Sequence, residues 1–192
     1  MEWTIPLQNL DTSKINIGAP TQGSKLISIL GYSDEDATFN SLSILLPILP
    51  VKSYDATTGK LQISLQGGAI AAKLLSFQEM LINSVCANQR TWFPSARPSD
   101  KEDIKHGFQP FVEGGCIHLY CPSSSTGISN EIHTYSAKAW SRGAISPSIF
   151  SAGKNLRLAI KIQGLSFHQH PMSKAWTGKF RLQHRISAIM AT

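Results

Sequence analysis

The last third of the sequence has no acidic residue. Residues 132–192 carry 9 Lys/Arg and no Asp or Glu, a balance of +9, whereas residues 1–131 carry 9 Lys/Arg and all 12 Asp/Glu, a balance of −3. The net charge of +6 therefore comes from a single segment. A surface of one sign attracts a polymer of the opposite sign. We expect a polyanionic partner, and a cationic surface that only maintains solubility is the alternative.

Cysteine is scarce, and no apolar run is long enough to span a bilayer. The three cysteines, Cys86, Cys116 and Cys121, are an odd number, which argues against a disulfide framework and favours a reducing compartment. The segment MEWTIPLQNL lacks the basic start and apolar run of a secretion signal, and LSILLPILPV is short and rich in proline. We therefore expect an intracellular protein, cytoplasmic or nuclear, that is not secreted and has no membrane partner.

Motifs for catalysis and cofactor binding are missing too. The sequence contains no phosphate loop, GxGxxG or GxSxG motif, and its carboxylate runs are typical of solvated turns and helix starts. Cys116, His118 and Cys121 lie close together, but strand alternation directs Cys121 to the other face, which disfavours a tetrahedral zinc site. We expect a protein that is not an enzyme, with no catalytic residue, no metal and no cofactor.

Hydrophobic periodicity predicts strands at both ends of the chain and helix in the middle. Apolar residues at helical spacing predict a longer helix near residues 70–90, and Ser99 with Glu102 forms a capping box ahead of a short helix near 100–106. The expected fold is mainly β (α+β). We expect one domain over residues 1–192, with a helical and loop insertion at about 68–112 and a basic sheet region at 132–192.

Two segments near the C-terminus alternate apolar side chains with basic or amide ones. In NLRLAIKIQG and in TGKFRLQHRI, a strand would bury one face and present a basic face on the other side. If the two strands are antiparallel neighbours, their outward cations form one patch, which comprises Arg157, Lys161, Lys179, Arg181 and Arg185. Like charges opposite one another repel, and a bound phosphate backbone would relieve that cost.

Further candidate residues flank these two strands. Arg142 and Lys174 are additional candidates for contacts with a nucleic-acid backbone. The candidates for stacking on unpaired bases are Trp176, Phe167, Trp140 and Tyr135. For Trp176 and Phe167, capping of the sheet core is the alternative. Trp92 and Phe93 are expected to close the helix onto the sheet.

The chain resembles the single-stranded DNA-binding proteins of bacteriophages, large DNA viruses and related mobile elements. The resemblance covers about residues 60–190 and depends on QRTWFP, GFQPFVEGG, GKNLRLAIKIQGLSF and TGKFRLQHRISAI. It implies an OB-like antiparallel barrel or twisted sheet, a basic groove for the strand, aromatic stacking and a role in replication or recombination. Such proteins often recruit partners through an acidic tail. The segment ISAIMAT differs from that pattern, so this property is not carried over.

Two classes of function remain open at this point. The first is a sequence-tolerant binder of single-stranded DNA or RNA, with possible self-association. The second is a structural or carbohydrate-binding β-sandwich, such as a viral coat subunit or a lectin-like domain. The position of the charge favours the first, because capsid proteins commonly carry it in a disordered arm, whereas here it alternates with core residues on strands.

Overall fold

A computed structural model describes residues 3–35, 37–124, 127–128, 132–136, 139–142 and 145–191. The strands before the helices are β1 (Ile5–Pro6), β2 (Ile15–Ile17), β3 (Thr21–Gln22), β4 (Leu26–Ser28), β5 (Leu30–Ser33), β6 (Thr38–Phe39), β7 (Leu42–Leu45), β8 (Leu49–Asp55) and β9 (Lys60–Ser64). The helices are α1 (Gly68–Trp92) and α2 (Lys101–Gly107). The later strands are β10 (Phe108–Gln109), β11 (Val112–Glu113), β12 (Cys116–Tyr120), β13 (Ser123–Ser124), β14 (Gly127–Ile128), β15 (His133–Ser136), β16 (Ala139–Arg142), β17 (Asn155–Gln169) and β18 (Trp176–Ala191).

One large mixed sheet organises the molecule, and the fold is mainly β, as expected. Its main path runs β11-β12-β9-β8-β17-β18-β15-β16, and β4 and β7 also pair with β17. Antiparallel pairing dominates, but β1 with β7, β10 with β18 and β15 with β18 are parallel. Over the described residues the strand path does not return to its start, so the sheet is not a closed barrel. A smaller sheet has the order β2-β5-β6.

The core lies between α1 and one face of the two longest strands. Leu74 and Phe77 of α1 border the same small interior space as Ile160, Ile162 and Leu182 of β17 and β18. All five side chains are buried. Burial of such side chains stabilises the fold by about 1.5–3 kcal/mol each. The other face of β17 and β18 is therefore directed away from α1.

The predicted helices are confirmed, but the predicted cap of the second is wrong. The structure extends the first helix to Gly68–Trp92 and places the second at Lys101–Gly107. Asp100, rather than Ser99, caps α2, because its side chain accepts a hydrogen bond from the Asp103 N–H at 2.9 Å. Ser99 is held by Gln89 of α1, which accepts from the Ser99 N–H at 2.8 Å.

The C-terminal end of α2 lies directly against the start of β18. A Cβ at Gly107 would collide with the carbonyl oxygen of Gly178, so only glycine allows this approach. The chain then continues into β10, where Phe108 pairs with Phe180 and Gln109 with Arg181. This contact brings the basic end of α2 beside the basic strand β18.

A half-buried histidine provides a polar link between β12 and β18. His184 Nε2 accepts a hydrogen bond from the Tyr120 N–H at 3.1 Å, which leaves Nδ1 to donate to the Leu182 carbonyl at 3.3 Å. Burial lowers the pKa of His184, and the charge of Arg181 lowers it further. The imidazole is therefore neutral at pH 7.

Among the described residues, no helix has the length and apolar character needed to cross a membrane.

Candidate nucleic-acid interface

The two basic segments form neighbouring antiparallel strands, as predicted. The pairing of β17 with β18 extends from Leu156 opposite Ala191 to Gln169 opposite Trp176. Their apolar side chains are buried on the side of α1, among them Leu158, Ile160, Leu182 and Ile186. The cations alternate with these residues. Strand geometry thus places the cations on the opposite side.

This opposite side is the basic face, defined by Arg157, Lys161, Lys179, Arg181 and Arg185. Lys161 lies directly opposite Arg185 in the β17–β18 register, and Arg181 lies opposite Ser166. Lys179, Arg181 and Arg185 are exposed, whereas Arg157 and Lys161 are half-buried. Two like charges in direct register disfavour folding. The sheet places these five cations together on one side.

Two β-bulges lie just beyond these cations and shift the alternation of β17 and β18. Gln163 is an extra residue in β17, between the pairs Ile162–His184 and Gly164–Gln183. Ser187 is an extra residue in β18, between the pairs that end at Ile186 and begin at Ala188. Each extra residue reverses which residues point outward beyond it. Outward residues are consequently odd-numbered in β17 up to Lys161 and even-numbered from Gly164 onward.

An aromatic pair lies at one end of the basic face. Tyr135 of β15 is in register with Met190, which itself lies opposite Arg157. Trp140 of β16 lies opposite Tyr135, and the two rings have centroids 5.2 Å apart at 56°. Residues aligned across neighbouring strands share a face of the sheet. Trp140 is 45% exposed and therefore presents a ring surface on the same face as Arg157, three strands away across the sheet.

Of the other two stacking candidates, Phe167 is buried and Trp176 is half-buried against the same aromatic cluster. Phe167 is 3% exposed, and its ring contacts Phe93 and Phe180 at centroid distances of 5.0 and 5.8 Å. Trp176 stacks on Phe93 at 4.3 Å and 27°, and its Nε1–H donates to the Lys179 carbonyl at 3.0 Å. In this arrangement Phe167 offers no open ring to a base, and Phe93 covers one face of Trp176. Trp92 and Phe93 hold the end of α1 against this cluster, as expected.

A cleft opens at the other end of the basic face. We call it the end cleft. It has a volume of about 600 Å³ and is bordered by Lys25, His106, His168, Lys179 and Arg181, with Leu26, Phe108, Phe167 and Phe180 as its apolar lining. Lys25 and His106 were missed by the sequence analysis, because β4 and α2 come from distant parts of the chain. The alternation along β17 and β18 was the only available signal, and it does not extend to other elements.

The other two residues predicted to contact a nucleic-acid backbone, Lys174 and Arg142, lie away from the centre of the basic face. Lys174 is exposed in the turn between β17 and β18, with a φ of 58°, and its N–H donates to the His170 carbonyl at 3.0 Å. Arg142 ends β16, opposite His133, and its side chain lies outside the described part of the structure. Lys174 thus lies beyond the paired strands, whereas the backbone of Arg142 belongs to the sheet.

Carboxylates are sparse around the exposed part of the basic face. The ion pairs found between described residues are Lys14–Asp34 and Lys101–Glu79, which lie in the N-terminal region and between α1 and α2. Among the described residues, Lys179 and Arg181 have no carboxylate within 4.0 Å. The end cleft likewise has no Asp or Glu among its described lining residues. Local positive potential is therefore retained at this end of the face.

Several buried polar atoms on the basic face have no hydrogen-bond partner. Four such side-chain atoms occur among the described residues, and three lie on this side of the sheet: Oγ of Ser43, Nε of Arg157 and Oε1 of Gln183. Ser43 is in register with Lys161, and Gln183 with Gly164. Buried polar atoms are normally paired, so unpaired ones in a row are a reason to expect a ligand or water there. Ser43 was not identified from the sequence.

The cysteine and histidine cluster has no metal-site geometry. Cys116 and Cys121 are buried, His118 is half-buried, and no group of three or more His, Cys, Asp or Glu residues suited to a metal occurs in the described parts of the chain. Burial raises the pKa of the Cys121 thiol to about 12, so this cysteine stays a neutral thiol.

No protein-family model, curated protein or solved structure matches this chain.

Proposed function

We propose that the protein binds single-stranded DNA along its basic face, with little sequence preference and without catalysing a reaction. The observation that carries this proposal is the row of cations on one face of β17 and β18, in which Lys179 and Arg181 are exposed and have no carboxylate within 4.0 Å among the described residues. An exposed row of cations of this kind attracts a polyanion. We further propose that the protein acts in replication or recombination.

The size of the basic face suits a short stretch of one strand. From Arg157 to His168, eleven residue steps at about 3.3 Å each give a length of about 36 Å. A stacked strand rises about 3.4 Å per nucleotide, so about ten nucleotides would cover the face. This length lies within the roughly 4–16 nucleotides bound by single OB-fold domains. Cation contacts along it would be made with phosphates, which are the same in every sequence.

The aromatic pair would add contact with bases. Trp140 presents an exposed ring on the face that carries Arg157, so a base can stack on it while a phosphate further along the strand contacts the arginine. Stacking tolerates every base, because each has a π-face. The proposal therefore combines phosphate contacts along β17 and β18 with stacking at β15 and β16.

The OB-like fold and self-association belong to the same proposal. The hydrogen bond between Tyr120 and His184 brings β12 to β18, and this contact supports the proposal that the sheet is OB-like. Coating of a longer strand would require contacts between neighbouring copies. We propose that copies associate along the strand when it exceeds one site length.

The experiment is a titration of fluorescently labelled oligothymidine, followed by anisotropy at low salt. The test variant is the double charge reversal Arg181→Glu and Arg185→Glu, both at exposed positions. The matched control is Lys52→Glu with Lys60→Glu, which makes the same charge change at exposed positions on the β8–β9 hairpin. We expect the test variant to bind at least about tenfold more weakly than the control.

Two results would contradict the proposal. One is no anisotropy change for the unaltered protein at low salt. The other is equal weakening in the test and control variants, which would mean that only net charge matters. Oligouridine, measured in parallel, distinguishes DNA from RNA, and tighter binding of oligothymidine is the expected result.

A further inference from the structure

The end cleft differs from the rest of the basic face in shape and in lining. The basic face is an open sheet surface, whereas the cleft is a concave space of about 600 Å³ between α2, the β3–β4 segment and the ends of β17 and β18. That volume is in the range of small-molecule sites. It lies where the regular register of β17 and β18 breaks, after Phe167 opposite Phe180. A strand that follows the basic face would therefore reach the cleft at its end.

The end cleft has more positive charge than one internal phosphodiester would neutralise. Lys25, Lys179 and Arg181 border it, and each carries a full positive charge. An internal phosphodiester carries one negative charge, whereas a phosphomonoester carries about −1.5 to −2 near pH 7 and presents three acceptor oxygens. The cleft matches a phosphomonoester better in both charge and donor number.

Two histidines supply further donors or acceptors in the cleft. His106 Nδ1 donates to the Glu102 carbonyl at 2.7 Å, which leaves Nε2 for a ligand. His168 Nδ1 lies 3.0 Å from Thr177 Oγ1, whose hydroxyl donates to the His168 carbonyl, so Nδ1 is the donor in this pair as well. Both Nε2 atoms thus remain available at a site that the two side chains border.

The apolar lining suits the remainder of a nucleotide. Leu26, Phe108 and Phe180 border the same space as the cations. An apolar wall with a few convergent charged groups is the usual composition of a small-molecule site. A sugar or base could lie on this wall while its phosphate contacts Lys25 and Arg181.

We infer that the end cleft binds the terminal phosphomonoester of a nucleic-acid strand whose following nucleotides lie along the basic face. This inference rests on the proposed function. It makes the protein a binder that distinguishes phosphorylated strand ends from hydroxyl ends. The strand end then fixes where the first copy binds.

The test is a competition against a labelled oligothymidine of ten nucleotides. The unlabelled competitors have the same length and carry a 5′-phosphate, a 3′-phosphate or hydroxyls at both ends. We expect one of the phosphorylated competitors to displace the probe about tenfold better than the hydroxyl form, which is the effect of one charge-assisted hydrogen bond. Thymidine monophosphate should remove this difference at concentrations that leave the probe bound.

The variants Lys25→Ala and His106→Gln test whether the cleft is responsible. Both side chains are exposed, so loss of fold is not expected. Each variant should bring the affinity ratio of the phosphorylated to the hydroxyl competitor towards one. Lys60→Ala, on the β8–β9 hairpin, should leave that affinity ratio unchanged. Equal displacement by all three competitors would overturn the inference and leave the proposed function intact. Failure of every competitor and of the probe to bind would overturn the proposed function itself.

Discussion

Lys161 lies directly opposite Arg185 in the pairing of the two longest strands. Neither residue could be moved to the other face without exposing Ile160 or Ile186, which are buried beside them. The pair is therefore a fixed concentration of positive charge, and its effect on binding can be measured.

Neutralising this pair should reduce the salt dependence of DNA binding. Each phosphate contact contributes about 0.7 to the slope of log K against log salt for a single strand. We expect Lys161→Gln and Arg185→Gln to lower the slope by about that amount each. Titrations at several salt concentrations measure it, with Lys52→Gln as the control, and unchanged slopes in both test variants would place the phosphates elsewhere.

Trp140 should contribute to binding through stacking. We expect Trp140→Ala to weaken oligonucleotide binding by about 1–3 kcal/mol, because one base loses its stacking partner. The control is Trp3→Ala, since Trp3 is 42% exposed and packs on Phe39 at a centroid distance of 3.9 Å, in a different region. Anisotropy titrations measure the oligonucleotide affinity of both variants. Equal affinities of Trp140→Ala and Trp3→Ala would exclude the stacking role.

Phe167 should stabilise the fold. We expect Phe167→Ala to lower the free energy of unfolding by about 3–5 kcal/mol, because its removal leaves a cavity among Phe93, Trp176 and Phe180. Met172→Ala, at an 87% exposed position in the turn after β17, should change stability little. Urea denaturation compares the two variants. A small effect at Phe167 would mean that its ring is free to leave the core.

His184 should make the protein less stable in mild acid. Burial lowers its pKa in the folded protein, while the unfolded chain has the ordinary value near 6.5. The unfolded state therefore binds more protons, so the stabilising contribution is present above pH 6.5 and is lost as the pH falls towards the lowered value. We expect the free energy of unfolding to decrease between about pH 7.5 and 5.5.

The variant His184→Gln should show a flatter pH dependence over the same range, since glutamine can still accept from the Tyr120 N–H but does not titrate. His170→Asn, at an exposed position in the turn after β17, serves as the control. Identical pH profiles for His184→Gln and the unaltered protein would show that another group controls acid stability.

Cysteine labelling should follow burial. Cys121 is buried with a pKa raised to about 12, and Cys116 is buried as well, whereas Cys86 is half-buried in α1. Thiolate is the reactive form, so we expect Cys86 to be alkylated first at about pH 8 and Cys121 only after unfolding. Mass spectrometry of digested samples identifies the labelled positions. Early labelling of Cys121 would contradict its burial.

Much of the central sheet was predictable from the sequence because strand alternation is a local property. The segments NLRLAIKIQG and TGKFRLQHRI separate buried from outward side chains by position alone, and their pairing follows from their proximity in the chain. The helix at Gly68–Trp92 was predictable for the same reason, because its apolar spacing is local.

Contacts between distant segments could not be predicted in this way. Lys25 reaches the end cleft because Leu26 of β4 pairs with Phe167 of β17, and no local pattern specifies that pairing. The choice between stacking and core for Trp176 depends on Phe93, at the end of α1, which occupies its ring face. The cap of α2 was misassigned because Ser99 and Asp100 both suit an N-cap, and only the bond from Gln89 separates them.

The bulged residues Gln163 and Ser187 also constrain how the chain can change in length. Deleting Gln163 would leave Ile162 and Gly164 as consecutive residues opposite His184 and Gln183, so both flanks would keep their faces. Deleting a regularly paired residue of β17 would instead exchange inside and outside on one flank. Single-residue deletions tolerated by this hairpin should therefore fall at Gln163 or Ser187, whereas changes of length at regularly paired positions should come in even numbers.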